Sequence, residues 1–323
     1  MTIDDILAAR ARLEGHARLT PLLNAPLLDA ELGRRVFLKA ECLQKTGSFK
    51  YRGARSAISA LDDATRNRGV IAFSSGNHAQ GVALAAKEMG TSAVIVMPSD
   101  APDAKIENTK AYGAEVVLYD RATDDRDAIG ASLAEARGLT LIKPFDNETV
   151  IAGQGTIGLE IADQAKPLGL EKASVLVCCG GGGLTSGIAL ALADRAPDFR
   201  VQTVEPQGFD DVARSLETGQ IQRNDAQTGS ICDAILTPAP GDLTFPIMKA
   251  HCGPGLVVSD ADAQRAMAIA FAHFKVVLEP GGAVALAAAL FHATGTQDII
   301  AIASGGNVDW PVFRDAFESS GTV

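Results

Sequence analysis

Apolar and polar positions along the chain fall into two alternating patterns. Short continuous runs of valine, isoleucine and leucine predict strands buried on both faces, and the stretches between them repeat about every 3.6 residues, as helices do. The predicted strands are 35–41, 70–74, 93–97, 116–119, 139–143, 174–179, 201–204 and 299–303. The predicted helices are 77–89, 103–112, 124–137, 156–164, 184–194, 260–277, 282–292 and 310–319. This alternation predicts an α/β fold, and the number of strands favours two open, mainly parallel sheets flanked by helices.

Composition and charge narrow the class of protein. Of the 323 residues, 47% are hydrophobic and 21% are charged, so the chain can bury a large core. The net charge of −10 argues against a nucleic-acid partner, and no apolar run approaches the roughly 18 residues of a membrane span. The acidic start at Met1–Asp5 is unlike a secretory leader, and the five cysteines lack zinc-ligand spacing. We therefore expect a cytoplasmic protein without a membrane partner.

The segment Lys45–Gly53 contains the first candidate for chemistry. Ser48 is expected to cap a helix in which Lys50 occupies the first turn. The field at a helix start disfavours an ammonium group, so it would lower the pKa of Lys50 and make its amine nucleophilic. The alternative is an ordinary solvated lysine on a helix surface.

The second candidate is Ser74-Ser75-Gly76-Asn77-His78, which follows a predicted strand and opens a predicted helix. Backbone N–H groups at a helix start bind anions such as carboxylates, and the serine hydroxyls and the asparagine amide add donors. The alternative is a capped turn between a strand and a helix, with no ligand.

The third candidate is the run Gly180–Gly183, followed by Leu184. Successive glycines let the backbone wrap around an anion, which predicts a phosphate cradle. No lysine follows as in a P-loop, and Glu205 only weakly matches the acidic residue expected about 20 positions after a dinucleotide-binding loop. The alternative is a flexible turn with a structural role only.

Taken together, the motifs resemble the fold-type II pyridoxal-phosphate (PLP) enzymes, which have the tryptophan synthase β-like fold. The resemblance is closest to the threonine/serine dehydratase branch, which includes serine racemase and the 3-hydroxyaspartate dehydratases, and it covers about residues 10–315. The motifs that carry it are Lys45–Lys50, Ser74–His78, Ala152–Thr156, Gly180–Leu184, Glu279-Pro280 and Ser304–Asn307. The resemblance implies a large domain of residues 1–52 and 147–323, a small domain of residues 53–146, an active-site cleft between them, and a homodimer.

The resemblance also implies roles for individual residues. Lys50 would form a Schiff base with the cofactor aldehyde. The other implied cofactor contacts are Phe49 beside the pyridine ring, Asn77 at the ring hydroxyl, Gly180, Gly181, Gly182, Gly183 and Leu184 at the phosphate, and Ser304 at the pyridine nitrogen. A serine hydroxyl cannot keep that nitrogen protonated as an aspartate would, which favours rapid loss of a β-leaving group.

For the substrate, the resemblance implies that its carboxylate binds at Ser74, Ser75, Gly76, Asn77 and His78. Lys50 would take the proton from Cα, and the β-hydroxyl would then leave, giving a 2-oxo acid and ammonia. Ser75 would lie on the face opposite Lys50, where it could act as an acid or a base. Glu279 and Asn307 would surround the site.

A divalent cation is a further implication of the resemblance. Glu205 and Asp211 would be carboxylate ligands, with the Phe209 carbonyl between them. Oxygen ligands of this kind suit Mg²⁺, Mn²⁺ or Ca²⁺. The alternative is a solvated acidic turn.

The substrate is open at this point. The segment Ser230–Ala234 and the irregular stretch around it, 226–246, depart from the threonine enzymes, which motivates 3-hydroxyaspartate as the substrate. Its second carboxylate would need a cationic partner, and Arg52 and Arg126 are the candidates. The alternatives are a serine/threonine ammonia-lyase with a loosely fitting pocket, a serine racemase, a cysteine- or cystathionine-forming synthase, and a non-catalytic regulator that binds a metabolite.

Overall fold

Ten strands and fourteen α-helices lie within the residues that this computed structural model describes: 1–74, 76–101, 103–226, 228–295 and 297–319. The strands are β1 (Leu22–Asn24), β2 (Val36–Lys39), β3 (Val70–Phe73), β4 (Ala93–Pro98), β5 (Glu115–Tyr119), β6 (Thr140–Leu141), β7 (Ala173–Cys178), β8 (Phe199–Pro206), β9 (Leu256–Val258) and β10 (Ile299–Ile302). The helices are α1 (Ile3–Leu13), α2 (Pro26–Leu32), α3 (Lys50–Ser59), α4 (Asp63–Arg68), α5 (Asn77–Glu88), α6 (Asp103–Ala111), α7 (Arg126–Arg137), α8 (Glu148–Ala165), α9 (Gly183–Arg195), α10 (Asp211–Thr218), α11 (Thr244–His251), α12 (Asp260–Ile269), α13 (Pro280–Phe291) and α14 (Trp310–Ser319).

The larger sheet has six strands in the order β1-β2-β10-β7-β8-β9. Its strands run parallel except at the edge, where β1 is antiparallel to β2. Every residue of β2 and β10 is buried, because helices cover both faces of the sheet. The carboxyl ends of parallel strands meet at one edge, so the loops after β2, β7 and β10 lie together there.

The smaller sheet has four parallel strands in the order β5-β4-β3-β6. Its core packs β3 and β4 against α3 and α5, through side chains such as Ile58, Val82 and Ile95. All four of its strands fall inside residues 53–146, and the six strands of the larger sheet fall outside that range. The assignment of these segments to two separate domains remains a prediction.

The start of helix α8 differs from the one predicted from the sequence. The sequence predicted a helix from residue 156, because glycines are unfavourable in helix interiors. The helix begins at Glu148, where the Asn147 side chain accepts a hydrogen bond from the Val150 N–H at 3.0 Å. Its glycines allow close helix packing: a Cβ on Gly153 would lie 2.7 Å from the carbonyl oxygen of Arg52 in α3. Tertiary packing therefore overrides helix propensity in this segment.

Other differences concern short or irregular elements. The strands β1 and β9 have three residues each, too few for a readable pattern. The predicted helix 260–277 ends earlier, since α12 gives way to a π-helical turn at Ala270–Phe274 and Lys275 has a φ of 61°. The irregular stretch 226–246 contains a short 3₁₀ turn, Asp233–Ile235, and it lines the cleft described below; Gln227 lies outside the described residues. The described helices include none with the length and apolar character that a membrane crossing needs.

Candidate active site

A cleft of about 650 Å³ opens between the carboxyl edge of the six-stranded sheet and the four-stranded sheet. It brings together most of the residues singled out from the sequence. Those that line it are Phe49, Lys50, Ser74, Gly76, Asn77, His78, Gly180, Gly181, Gly182, Gly183, Leu184, Glu279 and Ser304. Ser75 lies outside the described residues, so its role stays a prediction.

Backbone pairing sets the position of Lys50. Ser48 forms an antiparallel bridge with Gly305, and the Phe49 N–H donates to the carbonyl oxygen of Ser304 at 3.0 Å. This pairing places Lys50 beside Ser304, which is far away in the sequence. The expectation that Ser48 caps the helix was wrong: α3 begins at Lys50 after Phe49, without a side-chain cap.

The amine of Lys50 is partly buried and has a neutral hydrogen-bond partner. Its Nζ donates a hydrogen bond to the Pro144 carbonyl oxygen at 3.0 Å. Burial lowers the pKa of Lys50 to about 8, and Cys178 and Glu279 act in the opposite direction. The sequence predicted a lowered pKa but attributed it to the helix field, whereas loss of solvent is the main cause. The alternative of a solvated surface lysine does not hold.

The glycine loop follows β7 and opens α9. Gly182 has a φ of 87°, a left-handed conformation that favours glycine, and a side chain on Gly181 would collide with the ring of Phe145. Within the described part of the chain, the N–H groups of Gly181 and Gly182 have no hydrogen-bond acceptor. Free amides at a helix start form an anion site, as the phosphate-cradle prediction requires.

The start of α5 forms the opposite wall. The Gly76 N–H donates to Ser74 Oγ at 3.2 Å, and a Cβ on Gly76 would meet nothing within 4 Å, so the space in front of it is open. The backbone N–H groups of Asn77 and His78 occupy the first turn, which has no intrahelical acceptors for them. These amides can receive a carboxylate.

The ring of His78 is held by a backbone carbonyl group of the protein. Its Nε2 lies 2.8 Å from the Ile142 carbonyl oxygen, and because a carbonyl can only accept, Nε2 carries the proton. Burial lowers the pKa of His78 to about 3, with Lys50 adding to the effect, so the ring stays neutral. The buried Nδ1 is then an acceptor, without a partner among the described residues. The ring therefore cannot donate to a substrate carboxylate, and only the backbone amide of His78 can.

A chain of polar side chains joins α5 to the larger sheet. Asn77 Nδ2 donates to Glu279 Oε1 at 2.6 Å, and Asn307 Nδ2 donates to Asn77 Oδ1 at 2.7 Å. Burial, with a smaller effect from Asp233, raises the pKa of Glu279 to about 7, although the Asn77 bond counteracts it. Asn77 is thus held in one orientation, with its amide at the cleft.

The family model for pyridoxal-phosphate dependent enzymes matches residues 13–305. The chain belongs to this family. An L-threo-3-hydroxyaspartate ammonia-lyase from a Pseudomonas species is 46% identical, over 94% of the chain and 95% of its own length. A serine racemase from Schizosaccharomyces pombe is 42% identical, over 95% and 94%. The crystal structure of a T.th. threonine deaminase has a TM-score of 0.91 at 45% identity, and the match covers 96% of this chain and 99% of that one.

These comparisons confirm the resemblance inferred from the motifs, and the α/β fold with two mostly parallel sheets. PLP is therefore the cofactor, and the cleft of this PLP-dependent enzyme fits it. The amine of Lys50 and the free amides of the glycine loop line the same cavity. Near that loop, the Thr237 hydroxyl is shielded from water without a hydrogen-bond partner among the described residues. A phosphate at the loop would satisfy these donors.

The two arginines proposed for a second carboxylate have different locations. Arg126 lines the cleft. Arg52 is 1% exposed and donates to Glu41 at 2.8 Å and to Glu160 at 2.6 Å, behind α3. The expectation for Arg52 was wrong, because its guanidinium is occupied by carboxylates of the protein itself.

The residues proposed as cation ligands form a buried acidic pocket at the end of β8. Both oxygens of Glu205 accept N–H groups from the start of α10, Val212 at 2.9 Å and Ala213 at 2.7 Å. Asp211 Oδ1 accepts from Asn224, while Oδ2 is buried without a partner among the described residues. Burial raises the pKa of Asp211 to about 6 and that of Glu205 well above its usual range. No group of three or more potential metal-ligating side chains occurs among the described residues, so a cation at these two carboxylates stays a prediction.

The cleft is also lined by residues to which the sequence assigned no individual role, among them Lys105, Phe145, Asp233 and Thr237. Asp233 lies in the Ser230–Ala234 segment, whose unusual sequence was the signal. Lys105 gave no signal, because a lysine in a largely polar helix is ordinary.

Proposed function

We propose that the chain is a PLP-dependent hydroxy amino acid ammonia-lyase whose preferred substrate is 3-hydroxyaspartate. The reaction removes water from the amino acid, and hydrolysis of the resulting enamine then releases ammonia and gives oxaloacetate. The observation that carries the substrate assignment is the set of cations in the cleft lining, namely Lys105, Arg121, Arg126 and Lys143 in addition to Lys50, which stand beside the acidic residues Asp127, Asp146, Asp233 and Glu279. A substrate with two carboxylates complements such a wall, and the name of the 46% identical relative agrees with it.

The residues of the chain would divide the work as follows. The free N–H groups at the start of α5 bind the α-carboxylate, which places Cα near Lys50. The Lys50 amine, whose pKa of about 8 keeps a large fraction neutral near pH 8, takes the Cα proton at Nζ. PLP, when bound, supplies the electron sink that lets the β-hydroxyl leave. Glu279 and Asn307 hold Asn77 toward the cofactor ring, and Ser304 lies at its nitrogen side.

Arg126 is one candidate for the second carboxylate. Its guanidinium lies 5.9 Å from the centre of the Phe73 ring, and its ion pair is with the adjacent Asp127 at 3.0 Å. Charge-assisted hydrogen bonds contribute about 1.5–3 kcal/mol, enough for a preference over serine of about 10- to 150-fold.

The test is a comparison of kcat/KM for threonine, serine and both 3-hydroxyaspartate diastereomers. We expect oxaloacetate to form at least about tenfold faster than pyruvate forms from serine. If the two rates are equal, the enzyme is a serine/threonine ammonia-lyase with a loosely fitting pocket, and the hydroxyaspartate assignment fails.

Amino acid racemisation is the second candidate function. The 42% identical serine racemase favours it, as does the Ser75 hydroxyl expected on the face opposite Lys50. If Ser75 acts there as an acid or base, Ser75→Ala abolishes interconversion of the serine enantiomers before it abolishes elimination. Full-rate interconversion in Ser75→Ala would remove this role.

The pocket formed by Glu205, Phe209 and Asp211 is proposed to bind a divalent cation away from the chemistry. The unpartnered Asp211 oxygen supports this assignment. Binding to the folded state alone stabilises it by about 2.7 kcal/mol at a cation concentration of about 100 times Kd. Chelator should therefore lower the melting temperature, and Mg²⁺, Mn²⁺ or Ca²⁺ should restore it. If chelator changes neither melting temperature nor rate, the pocket is only a buried acidic turn.

We further propose that the enzyme is a cytoplasmic homodimer. All five cysteines are free, which suits a reducing compartment. Phe271 and Trp310 are 48% and 69% exposed, and both ring systems pack on Phe313, so they form one apolar surface that a second copy could cover. Light scattering of the wild type and of Trp310→Asp tests this: a monomeric wild type would reject the dimer.

A further inference from the structure

An ion pair crosses the mouth of the cleft. Lys105, in α6 beside the four-stranded sheet, lies 3.2 Å from the Asp233 carboxylate in the 3₁₀ turn of the other wall. Both side chains line the cavity, and both act on the buried carboxyl of Glu279. The pair therefore lies close to the groups that hold the cofactor and the substrate.

The two partners differ in their contact with water. The Lys105 side chain is 16% exposed, whereas that of Asp233 is 63% exposed. An ion pair with one well-solvated partner contributes little, about 0–1 kcal/mol, so Asp233 can give up the ammonium at low cost. The less solvated ammonium gains more from a new carboxylate that arrives with the substrate.

The other cations of the cleft are less suited to this contact, and among them Lys143 is exposed. The side chain of Arg121 is 56% exposed and pairs with Asp100, and that of Arg126 is 46% exposed and pairs with its neighbour Asp127. Water screens charges at that exposure. Lys105 is therefore the cation with the strongest expected effect on a second carboxylate.

We propose that Lys105 is a specificity-determining residue that binds the second carboxylate of the substrate, and that Asp233 holds its ammonium group at the cleft until the substrate arrives. This inference rests on the proposed preference for 3-hydroxyaspartate. Serine and threonine have no second carboxylate, so with them the pair stays intact and Lys105 gives no advantage. The second carboxylate of the substrate replaces the Asp233 carboxylate beside the Lys105 ammonium group. The Asp233 carboxylate is then solvated.

The experiment compares the holoenzyme with Lys105→Met, Lys105→Arg and Asp233→Asn. The first readout is the ratio of kcat/KM for 3-hydroxyaspartate to that for serine. The second is the Kd of succinate, a dicarboxylate without the amino and hydroxyl groups that the reaction needs. Lys110→Met is the matched control, since Lys110 lies in the same helix, is 50% exposed and pairs with Glu107.

In Lys105→Met, we expect the ratio to fall and the succinate Kd to rise, each by about 10- to 100-fold, with much of the effect regained in Lys105→Arg. Asp233→Asn should lower the succinate Kd, because the competing carboxylate is gone. Lys110→Met should change neither value. Melting temperatures establish that each variant is folded, and Lys105→Gln replaces Lys105→Met if that variant is not.

An unchanged ratio and an unchanged succinate Kd in Lys105→Met would overturn the proposal, and a loss of both in Arg126→Met alone would assign the contact to Arg126. A succinate Kd that is unchanged or higher in Asp233→Asn would overturn the part given to Asp233. If wild-type enzyme shows no preference for 3-hydroxyaspartate, the proposed substrate fails, yet the succinate titration still decides whether Lys105 binds a second carboxylate.

Discussion

Lys50 and Arg52 lie two residues apart at the start of α3, yet they belong to two opposite electrostatic regions. Behind the helix, Arg52 pairs with Glu41 and Glu160, and Lys39 pairs with Glu160 at 2.6 Å. These carboxylates raise the pKa of Arg52 further, and Arg52 keeps the pKa of Glu41 low despite its burial. In this cluster each buried charge has an opposite charge beside it.

In front of the helix, three ionisable groups of the cleft have neutral partners. Lys50 meets a carbonyl oxygen, Glu279 meets the Asn77 amide, and His78 meets another carbonyl oxygen. Their pKa values move to about 8, about 7 and about 3, in each case toward the neutral form and mainly through burial. Burial with an ionic partner fixes a charge, whereas burial without one prepares a group to exchange protons or to meet a ligand.

Among these predictions, removal of the Lys50 amine from the cleft should have the largest effect on activity. Lys50→Ala should lose covalent cofactor and essentially all elimination, because loss of acid–base catalysis alone costs about 10²–10⁴-fold and loss of attachment adds to it. Mass spectrometry after borohydride reduction and a 2-oxo acid assay measure the two effects. Lys45→Ala is the control, since Lys45 pairs with Glu88 at 2.7 Å outside the cleft. Normal turnover in Lys50→Ala would contradict the assignment.

Breaking the cluster behind the helix should instead reduce stability. Arg52→Met leaves Glu41 and Glu160 without their guanidinium, and loss of one partner of a buried ion pair costs about 3–5 kcal/mol. Urea unfolding of the holoenzyme measures the change. Arg55→Met, which breaks a pair with the 27% exposed Glu88, should cost clearly less. Equal losses in the two variants would show that burial of the ion pair does not set the cost.

The pH dependence of stability should distinguish the two regions. The pKa of Glu279 is raised in the folded protein, so its contribution is complete below about pH 4.5 and is lost as pH rises through about 7. This contribution to the free energy of unfolding of the cofactor-free protein should fall across the window by roughly 3 kcal/mol at most, whereas His78, whose pKa is lowered, contributes a rise up to about pH 6.5. The difference between the wild-type and Glu279→Gln curves therefore isolates the contribution of Glu279. A difference curve that rises from about pH 5 to about pH 7 would contradict the shift.

The smallest effect is expected at the open wall of the cleft. Gly76→Ala adds a methyl group where nothing lies within 4 Å, so the free energy of unfolding should change by about 0.5 kcal/mol or less. The methyl group occupies space in front of the amides that receive the substrate carboxylate, so KM should rise more than kcat falls. If KM is unchanged, the carboxylate binds elsewhere.

Sequence reasoning located the cofactor side of the cleft well. Lys50, the glycine loop and Ser304 come from distant motifs, and they line one cavity because their loops follow parallel strands that end at one edge. The misassignment of Arg52 was avoidable: residues two apart on a helix point to nearly opposite sides, so Arg52 could not share the cleft with Lys50.

Other features had no readable sequence signal. Lys105 and Asp233 are 128 positions apart, and only the three-dimensional fold brings them together. The glycines of α8 appear unfavourable for a helix, because the sequence does not show how closely α3 and α9 pack against α8. A Cβ on Gly187 in α9 would lie 2.5 Å from the Ile151 carbonyl oxygen in α8. The hydrogen bond from Lys50 to the Pro144 carbonyl oxygen likewise joins residues 94 positions apart, so no local sequence pattern predicts it.

The bridge between Ser48 and Gly305 has a mechanical consequence. Together with the Phe49 and Gly306 hydrogen bonds, at 3.0 and 2.9 Å, it joins the lysine segment and the serine segment into one short ladder. A cofactor held between Lys50 and Ser304, as proposed above, would therefore contact one continuous piece of paired backbone on both sides. Helices α5 and α6, which form the opposite wall of the cleft, are not part of that ladder. A change in the width of the cleft would alter how the substrate meets Lys50, while the spacing between Lys50 and Ser304 stays constant.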